Sequence, residues 1–264
     1  MNNTALTIDH LSRMKRDGEK IAMLTCYDAT FAQAMDRAGV DIILVGDSLG
    51  MVVQGRETTV GVTTEDIAYH TSCVAQGLER TFLLADMPFG SYYDEATAME
   101  NAVSLLSAGG AMVKLEGAGP MIEIVDYLTS RSVPVCGHLG LTPQSVHQLG
   151  GFKVQAKDEA GANQLLEDAR ALQAAGAQLL VVECVPSALG SEVSAAVDIP
   201  VIGIGAGAGC DGQVLVMHDM LGLVERSPKF VANFMQGSES VQAAFEAFVS
   251  SVRQGSFPAK EHEY

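Results

Sequence analysis

Eight short apolar runs alternate with amphipathic stretches along residues 21 to about 225 of the chain. Continuous apolar runs are typical of parallel strands that are buried on both faces, and apolar residues at helical spacing are typical of helices. The predicted strands are residues 21–27, 41–46, 81–86, 111–116, 133–138, 178–183, 199–205 and 213–218. Helices are predicted at residues 29–38, 65–76, 94–108, 120–131, 159–175 and 187–196, with a C-terminal pair near 228–235 and 239–253.

The order of these elements predicts an α/β fold with a parallel sheet. Three segments, 37–47, 107–117 and 173–184, repeat a helix end, a glycine, an apolar strand and an acidic residue. Eight such strands in 264 residues favour a (β/α)₈ TIM barrel, which typically needs about 250 residues. Residues 206–212 are too few to hold a helix between the last two strands, so an open α/β sheet remains the alternative. We predict one barrel domain over residues 1–264, with a helical C-terminal extension from about residue 228.

The charge and the cysteine content of the chain limit which classes of binding partner and which cellular compartment are expected. The chain carries 16 Lys and Arg against 32 Asp and Glu, a formal net charge of −16, and has no polybasic run. Nucleic acids and anionic membranes attract basic surfaces, so we expect neither as a partner. The five cysteines lie at 26, 73, 136, 184 and 210, without C-x-x-C spacing, and are expected to pack as small apolar side chains. Since no apolar run has the length of a signal or membrane segment, a cytoplasmic location is expected.

Charged residues end several predicted strands. In a barrel of this kind the functional groups gather at the carboxyl ends of the strands. Lys114 precedes Glu116 by two positions, which places both side chains on the same side of the fourth strand. Such residues are often only solvated rim charges, but crowded carboxylates repel one another unless a cation lies among them, and oxygen ligands favour Mg²⁺ over zinc. The strand-terminal residues are Asp47, Asp86, Glu116, His138 and Glu183.

A glycine-rich segment, residues 203–212, contains a G-x-G-x-x-G pattern. A dinucleotide site needs these glycines to open a long helix after the first strand. Here they follow the seventh predicted strand and precede the eighth, so we expect either a tight connection or a close approach of the backbone to a ligand. His218 is predicted to end the eighth strand, where it either lines the barrel mouth or has a structural role.

Several longer segments resemble the ketopantoate hydroxymethyltransferase family. The match runs in order from about residue 20 to residue 235. The segments at residues 134–146 and 45–51, taken together, are far more specific than a short generic motif. The segments include VGDSLGM (45–51), LLADMPF (83–89), VKLEG (113–117), PVCGHLGLTPQSV (134–146), LLVVECVP (179–186) and DGQVLVMHDMLGL (211–223).

The resemblance implies a (β/α)₈ barrel of the pyruvate/phosphoenolpyruvate type, usually assembled as a homodecamer. It implies transfer of a one-carbon unit from 5,10-methylenetetrahydrofolate to 3-methyl-2-oxobutanoate, which gives 2-dehydropantoate for pantothenate biosynthesis. The cofactor implied is one Mg²⁺ per subunit, with the folate as co-substrate and an enolate of the oxo acid as the reacting species.

The resemblance also implies roles for individual residues. The catalytic base of the family falls on Glu183. Arg56 and residues 59–63 depart from the family's usual pattern in that loop. The implied metal ligands are Asp47, Asp86 and Glu116, and the implied substrate-binding residues are Asp47, Ser48, Asp86, Lys114 and His138.

Two other classes of function share parts of this pattern. A Mg²⁺-dependent carbon–carbon lyase or aldolase with the same barrel would use a similar metal site without folate. A non-catalytic metal-binding or scaffold barrel would not need both Glu183 and Lys114, and both are present.

Overall fold

Eight parallel strands form a closed barrel in the computed structural model, which describes residues 5–225 and 227–264. Each strand pairs with the next one along the chain, and β8 pairs with β1. This closure confirms the predicted barrel and rules out the open sheet. The strands are β1 (Ile21–Thr25), β2 (Ile42–Val45), β3 (Phe82–Asp86), β4 (Met112–Glu116), β5 (Val135–Gly140), β6 (Leu179–Glu183), β7 (Val201–Ile204) and β8 (Gly212–Leu215).

All six helices that were predicted between strands are present in the structure. Local caps begin two of them as the sequence indicates: Asp28 accepts hydrogen bonds from two backbone N–H groups of α2, and Thr63 with Asp66 forms a capping box at α4. The α-helices are α1 (Ile8–Asp17), α2 (Ala29–Ala38), α3 (Leu49–Val52), α4 (Thr64–Ala75), α5 (Glu95–Ser107), α6 (Met121–Thr129), α7 (Val146–Leu149), α8 (Glu159–Ala174), α9 (Ser187–Ala196), α10 (Met217–Met220) and α11 (Val241–Arg253).

The C-terminal pair is only half confirmed. Helix α11 lies where the second helix was predicted, but the predicted helix at 228–235 is wrong, because these residues form turns and irregular backbone. Asn233 Oδ1 accepts the N–H of Met235, and the N–H of Phe234 donates to the carbonyl of Met220. These bonds occupy donors that a helix would direct to its own carbonyls, so the segment crosses the barrel mouth in an irregular conformation.

Helix α1 was not predicted, because its segment is mostly polar and Leu11 is its one buried residue. It lies at the amino-terminal end of the barrel. Lys15 Nζ is 2.8 Å from Asp211 Oδ2, and it also donates to the carbonyls of Ser194 and Ile199. These contacts tie α1 to the residues that precede β7 and β8.

The glycine-rich segment is a tight connection between β7 and β8. Gly205 and Gly207 have φ of +63° and +82°, values that favour glycine, and a Cβ on Gly207 would collide with Ser187. The N–H of Asp211 then donates to the carbonyl of Val201. This geometry confirms the tight-connection interpretation of residues 203–212.

Apolar side chains fill the barrel and the space between strands and helices. Four cysteines, at 26, 136, 184 and 210, are buried among them, which confirms their predicted packing role, and Cys73 is half-buried. Among the described residues, no helix combines the length and the apolar character needed to cross a bilayer.

Candidate active site

The carboxyl ends of β2 to β6 bring the predicted charged residues together at one end of the barrel. All of them line a cavity of about 900 Å³ that opens at this end. Their side chains are buried, and only that of Glu183 keeps an appreciable exposed fraction, 14%. The residues gathered there are Asp47, Asp86, Lys114, Glu116, His138 and Glu183.

Lys114 lies between two carboxylates. The register of β3 and β4 sets Asp86 opposite Lys114, and Lys114 Nζ is 2.7 Å from Asp86 Oδ1 and 4.0 Å from Glu116 Oε1. The predicted same-side placement of Lys114 and Glu116 is therefore confirmed. Burial lowers the pKa of Lys114, but the charges of Asp86, Glu116 and Asp47 raise it more, so the ammonium group is the stable form.

Asp47 and Asp86 are coupled through the backbone. The N–H of Asp47 donates to Asp86 Oδ2 at 2.9 Å. Burial and the charges of Asp86 and Glu116 raise the pKa of Asp47 well above its ordinary value. Burial also raises the pKa of Asp86, although the adjacent Lys114 opposes the shift. Two buried carboxylates that resist ionisation in this way would gain from a cation between them.

His138 lies between two glutamates, one on each side of its ring. Its Nδ1 is 3.1 Å from Glu116 Oε1, and its Nε2 is 3.2 Å from Glu183 Oε2. Burial and the charge of Lys114 lower the pKa of His138, but its bonds to Glu116 and Glu183 raise it more, to about 9. The imidazole is therefore protonated at neutral pH. Burial raises the pKa of Glu116, but His138, Lys114 and the N–H of Gln144 together lower it more.

Glu183 is held at the cavity wall by an unusual turn in the backbone. The next residue, Cys184, has φ of +48°, which is rare for a non-glycine residue. Its N–H donates to the carbonyl of Ile204, and its carbonyl accepts the N–H of Gln155, each at 2.8 Å. The turn follows directly on the end of β6 at Glu183, and Cys184 lines the cavity as well.

Ser48 follows Asp47 at the cavity wall. Its Oγ is 2.8 Å from the hydroxyl of Tyr27. Tyr27 is buried, and burial raises the pKa of its phenol, so this hydroxyl stays protonated. The pair places a hydroxyl group next to Asp47, where a polar ligand could accept a hydrogen bond from it.

The outer part of the cavity is formed by segments that are distant in sequence. Its wall includes the apolar side chains of Phe152, Leu223, Phe230 and Tyr264. His218 also lines it, but from α10 and not from the end of a strand, because β8 ends at Leu215. The predicted place of His218 at the end of a strand is therefore wrong, although its position at the mouth is confirmed.

Two buried polar residues at the site were missed by the sequence analysis. Gln144 Nε2 donates to Asp47 Oδ2 at 2.8 Å, and the hydroxyl of Tyr92 donates to Gln144 Oε1. Gln144 lies within the motif at residues 134–146, but its contacts depend on a loop that crosses to another strand. Arg56 lines the outer cavity and donates to the carbonyl of Gly61.

The carboxylates do not stand together as an open metal cage. In the described part of the chain, no three His, Cys, Asp or Glu side chains are grouped so that they could hold a metal ion. Lys114 separates Asp86 from Glu116, and both oxygens of Glu116 are engaged, one by His138 and one by the N–H of Gln144. Asp47 Oδ1, in contrast, has no hydrogen-bond partner among the described residues.

The chain is similar in sequence to a known family of enzymes. A model of the ketopantoate hydroxymethyltransferase family matches residues 5–260. A 3-methyl-2-oxobutanoate hydroxymethyltransferase of Burkholderia multivorans is 58% identical over 261 residues, which cover 98% of this chain and 96% of the relative.

Among solved structures, 2,3-dimethylmalate lyase, of the PEP mutase/isocitrate lyase superfamily, has a TM-score of 0.57 at 14% identity, covering 79% of this chain and 80% of its own. Phosphonopyruvate hydrolase in complex with oxalate and Mg²⁺ has a TM-score of 0.62 at 11% identity. The match covers 97% of this chain and 93% of the hydrolase chain. These likenesses confirm the barrel fold. On the family match and the relative's identity, the chain belongs to the ketopantoate hydroxymethyltransferase family.

Proposed function

We propose that the chain transfers a hydroxymethyl group from 5,10-methylenetetrahydrofolate to 3-methyl-2-oxobutanoate and so forms 2-dehydropantoate for pantothenate biosynthesis. The observation that carries the proposal is the buried cluster of acids with Lys114 and His138, in a chain 58% identical to a relative of that name. The cluster would supply ligands for a cation, a fixed positive charge and a partly exposed carboxylate, which are the groups this reaction needs.

Asp47 and Asp86 would hold Mg²⁺ directly, since their carboxylates adjoin and both resist ionisation without a cation. Glu116, whose oxygens already have partners, would contribute through water. When bound, Mg²⁺ withdraws charge from the keto group of the oxo acid and so acidifies the hydrogen on C3. A solved barrel of the same fold holds Mg²⁺ together with oxalate, a small acid with adjacent carboxylates, which supports this assignment.

Lys114, His138 and Ser48 would bind the oxo acid. The ammonium group of Lys114 carries a fixed positive charge next to Asp86, where it stabilises negative charge that develops on the keto oxygen. Protonated His138, whose N–H groups face Glu116 and Glu183, adds positive charge beside the oxo acid, and Ser48 offers a hydroxyl next to Asp47. A buried site makes each of these interactions stronger than in water.

Glu183 would remove the proton from C3 of the oxo acid. It is the most exposed acid of the cluster, so its carboxylate can meet the substrate. The resulting carbanion forms a carbon–carbon bond with the methylene carbon of the folate. The carbon–nitrogen bonds to that carbon break, tetrahydrofolate leaves, and one water molecule supplies the hydroxyl oxygen of the product.

The size of the cavity supports a second, larger substrate. At about 900 Å³ it lies near the upper end of the ~300–1,000 Å³ that typical ligand sites enclose, far more than a small oxo acid fills. The outer wall carries Phe152, Phe230 and Tyr264, which suit the flat rings of a folate.

A turnover assay tests this function. With Mg²⁺ and 3-methyl-2-oxobutanoate, we expect 2-dehydropantoate only when methylenetetrahydrofolate is also supplied, because the new carbon comes from it. A lyase or aldolase of the same barrel would instead act on an oxo acid with no folate present. Product that forms equally fast without a one-carbon donor would overturn the transferase assignment.

We also propose that the chain assembles into a homo-oligomer, as a decamer, in the cytoplasm. Several large apolar side chains on its outer surface are at least half exposed, as subunit contacts would require. Sedimentation should therefore give a mass several times 27.8 kDa, and a monomer mass would contradict it. The five free cysteines support a reducing compartment. The exposed side chains are Tyr69, Phe89, Tyr93 and Val103.

A further inference from the structure

Gln144 connects the ends of three neighbouring strands at the candidate site. Its Nε2 donates to Asp47 Oδ2, beyond β2, at 2.8 Å and to the carbonyl of Met87, beyond β3, at 3.0 Å. Its backbone N–H donates to Glu116 Oε2, at the end of β4, at 3.0 Å. Gln144 itself lies in a short 3₁₀ turn after β5 and is 5% exposed. One buried residue therefore contacts two of the three carboxylates assigned to the metal.

Tyr92 determines which way the amide of Gln144 faces. The Tyr92 hydroxyl donates to Gln144 Oε1, and the Tyr92 hydroxyl oxygen accepts the N–H of Glu116 at 3.3 Å. On the other side of the amide the carbonyl of Met87 can only accept a hydrogen bond, so the NH₂ group must face it and Asp47 beside it. A flipped amide would set an oxygen against two oxygens and leave the Tyr92 proton without its acceptor. Every polar atom of the Gln144 amide is therefore satisfied in one orientation only.

The hydrogen bonds of Gln144 fix the orientation of the carboxylates of Asp47 and Glu116. With Oδ2 of Asp47 bound to Gln144, the second oxygen, Oδ1, is left for a ligand. With Oε2 of Glu116 held by Gln144 and Oε1 by His138, that carboxylate cannot rotate into the space beside Asp47. The bonds cost no rearrangement when a ligand arrives, because they are already formed.

We propose that Gln144 is a positioning residue for Asp47 and Glu116, with its amide oriented by Tyr92, and that it raises the affinity of the site for Mg²⁺ in the presence of the oxo acid. The inference rests on the proposed function, because it assumes that these carboxylates serve the metal. Partners that orient metal ligands typically change affinity by ~10–100-fold when they are removed.

The test uses Gln144→Met, which keeps the length of the side chain and removes its amide. Calorimetric titration of Mg²⁺ in the presence of 3-methyl-2-oxobutanoate should show affinity reduced by ~10–100-fold. In turnover, the Mg²⁺ concentration for half-maximal rate should rise, while the rate at saturating Mg²⁺ should return to near the wild-type value. Tyr92→Phe, which keeps the ring and the backbone N–H of Gln144, should shift affinity in the same direction by a smaller factor, and it serves as the test if Gln144→Met does not fold.

Gln213→Met is the matched control. Gln213 is a buried glutamine of the same barrel, 4% exposed, whose Nε2 donates to the carbonyl of Gly207 and to none of the carboxylates. It should lower the melting temperature without changing Mg²⁺ affinity. The proposed role of Gln144 would be overturned by an equal loss of Mg²⁺ affinity in Gln213→Met, or by wild-type Mg²⁺ affinity in both Gln144→Met and Tyr92→Phe. Neither result would overturn the proposed function of the chain. A wild-type chain that binds no Mg²⁺ with the oxo acid would overturn the proposed function as well.

Discussion

Glutamine in place of Glu183 should slow the exchange of deuterium from C3 of labelled 3-methyl-2-oxobutanoate into water by ~10²–10⁴-fold, the usual cost of removing a general base. The amide keeps the size of the side chain but cannot accept the proton. Binding of the oxo acid and of Mg²⁺ should persist, because Glu183 approaches His138 and not Asp47 or Asp86. Exchange is measured by NMR with Mg²⁺ present and folate absent, so it reports proton removal separately from carbon transfer.

His138, which lies next to Glu183, is the alternative base that this experiment has to exclude. His138 is the other group that could be imagined to take the proton, but its pKa of about 9 means that it is protonated below that pH and has no free lone pair at neutrality. Glu183 is therefore the base that we propose. Wild-type exchange in Glu183→Gln would show that another group removes the proton, and loss of Mg²⁺ binding would show that Glu183 is a metal ligand.

Glu57→Gln provides the control for loss of charge in the cavity. Glu57 also lines the cavity, but it lies on an exposed loop after α3, outside the cluster of acids at the strand ends. Its substitution removes the same charge without removing the proposed base. Exchange in Glu57→Gln should therefore stay near the wild-type rate.

The barrel and the acidic cluster could be predicted because each depends on local pattern. A strand buried on both faces must be apolar throughout, so β2 and β6 are visible as runs of residues, and the position where each run ends marks the barrel mouth. Period-two alternation then places Lys114 beside Glu116 without knowledge of the rest of the chain.

Contacts between distant segments could not be predicted in the same way. Gln144 reaches Asp47 across 97 positions of sequence, and nothing in its neighbours indicates this distance. Phe230 and Tyr264 reach the mouth from the end of the chain, where irregular backbone carries no periodic signal. Helix α1 escaped prediction because most of its residues are polar. Its apolar residues, Ile8, Leu11 and Met14, are few, although they pack against the core.

Replacing Asp86 by asparagine should weaken Mg²⁺ binding in the presence of the oxo acid by at least ~10–100-fold, since even indirect partners of a metal account for that much. Asparagine still accepts the N–H of Asp47, so the local backbone is kept while one negative charge is removed. Lys114 loses its 2.7 Å partner, and the groups left near its Nζ are His138 Nδ1 at 3.4 Å and Glu116 Oε1 at 4.0 Å. Calorimetric titration measures the affinity, and turnover should fall together with it.

Asp41→Asn separates this effect from a general loss of stability. Asp41 is as buried as Asp86, at 2% exposed, but it lies at the opposite end of the barrel, where it pairs with Arg80 and Arg253. Removing its charge leaves two arginines without their acid, which costs up to ~3–5 kcal/mol when such a pair is fully buried and less here, because both arginines are partly exposed. Its Mg²⁺ affinity should remain that of the wild type. If Asp86→Asn bound Mg²⁺ as tightly as Asp41→Asn does, Asp86 would serve only as the counter-ion of Lys114, and the metal would have to be assigned to other residues.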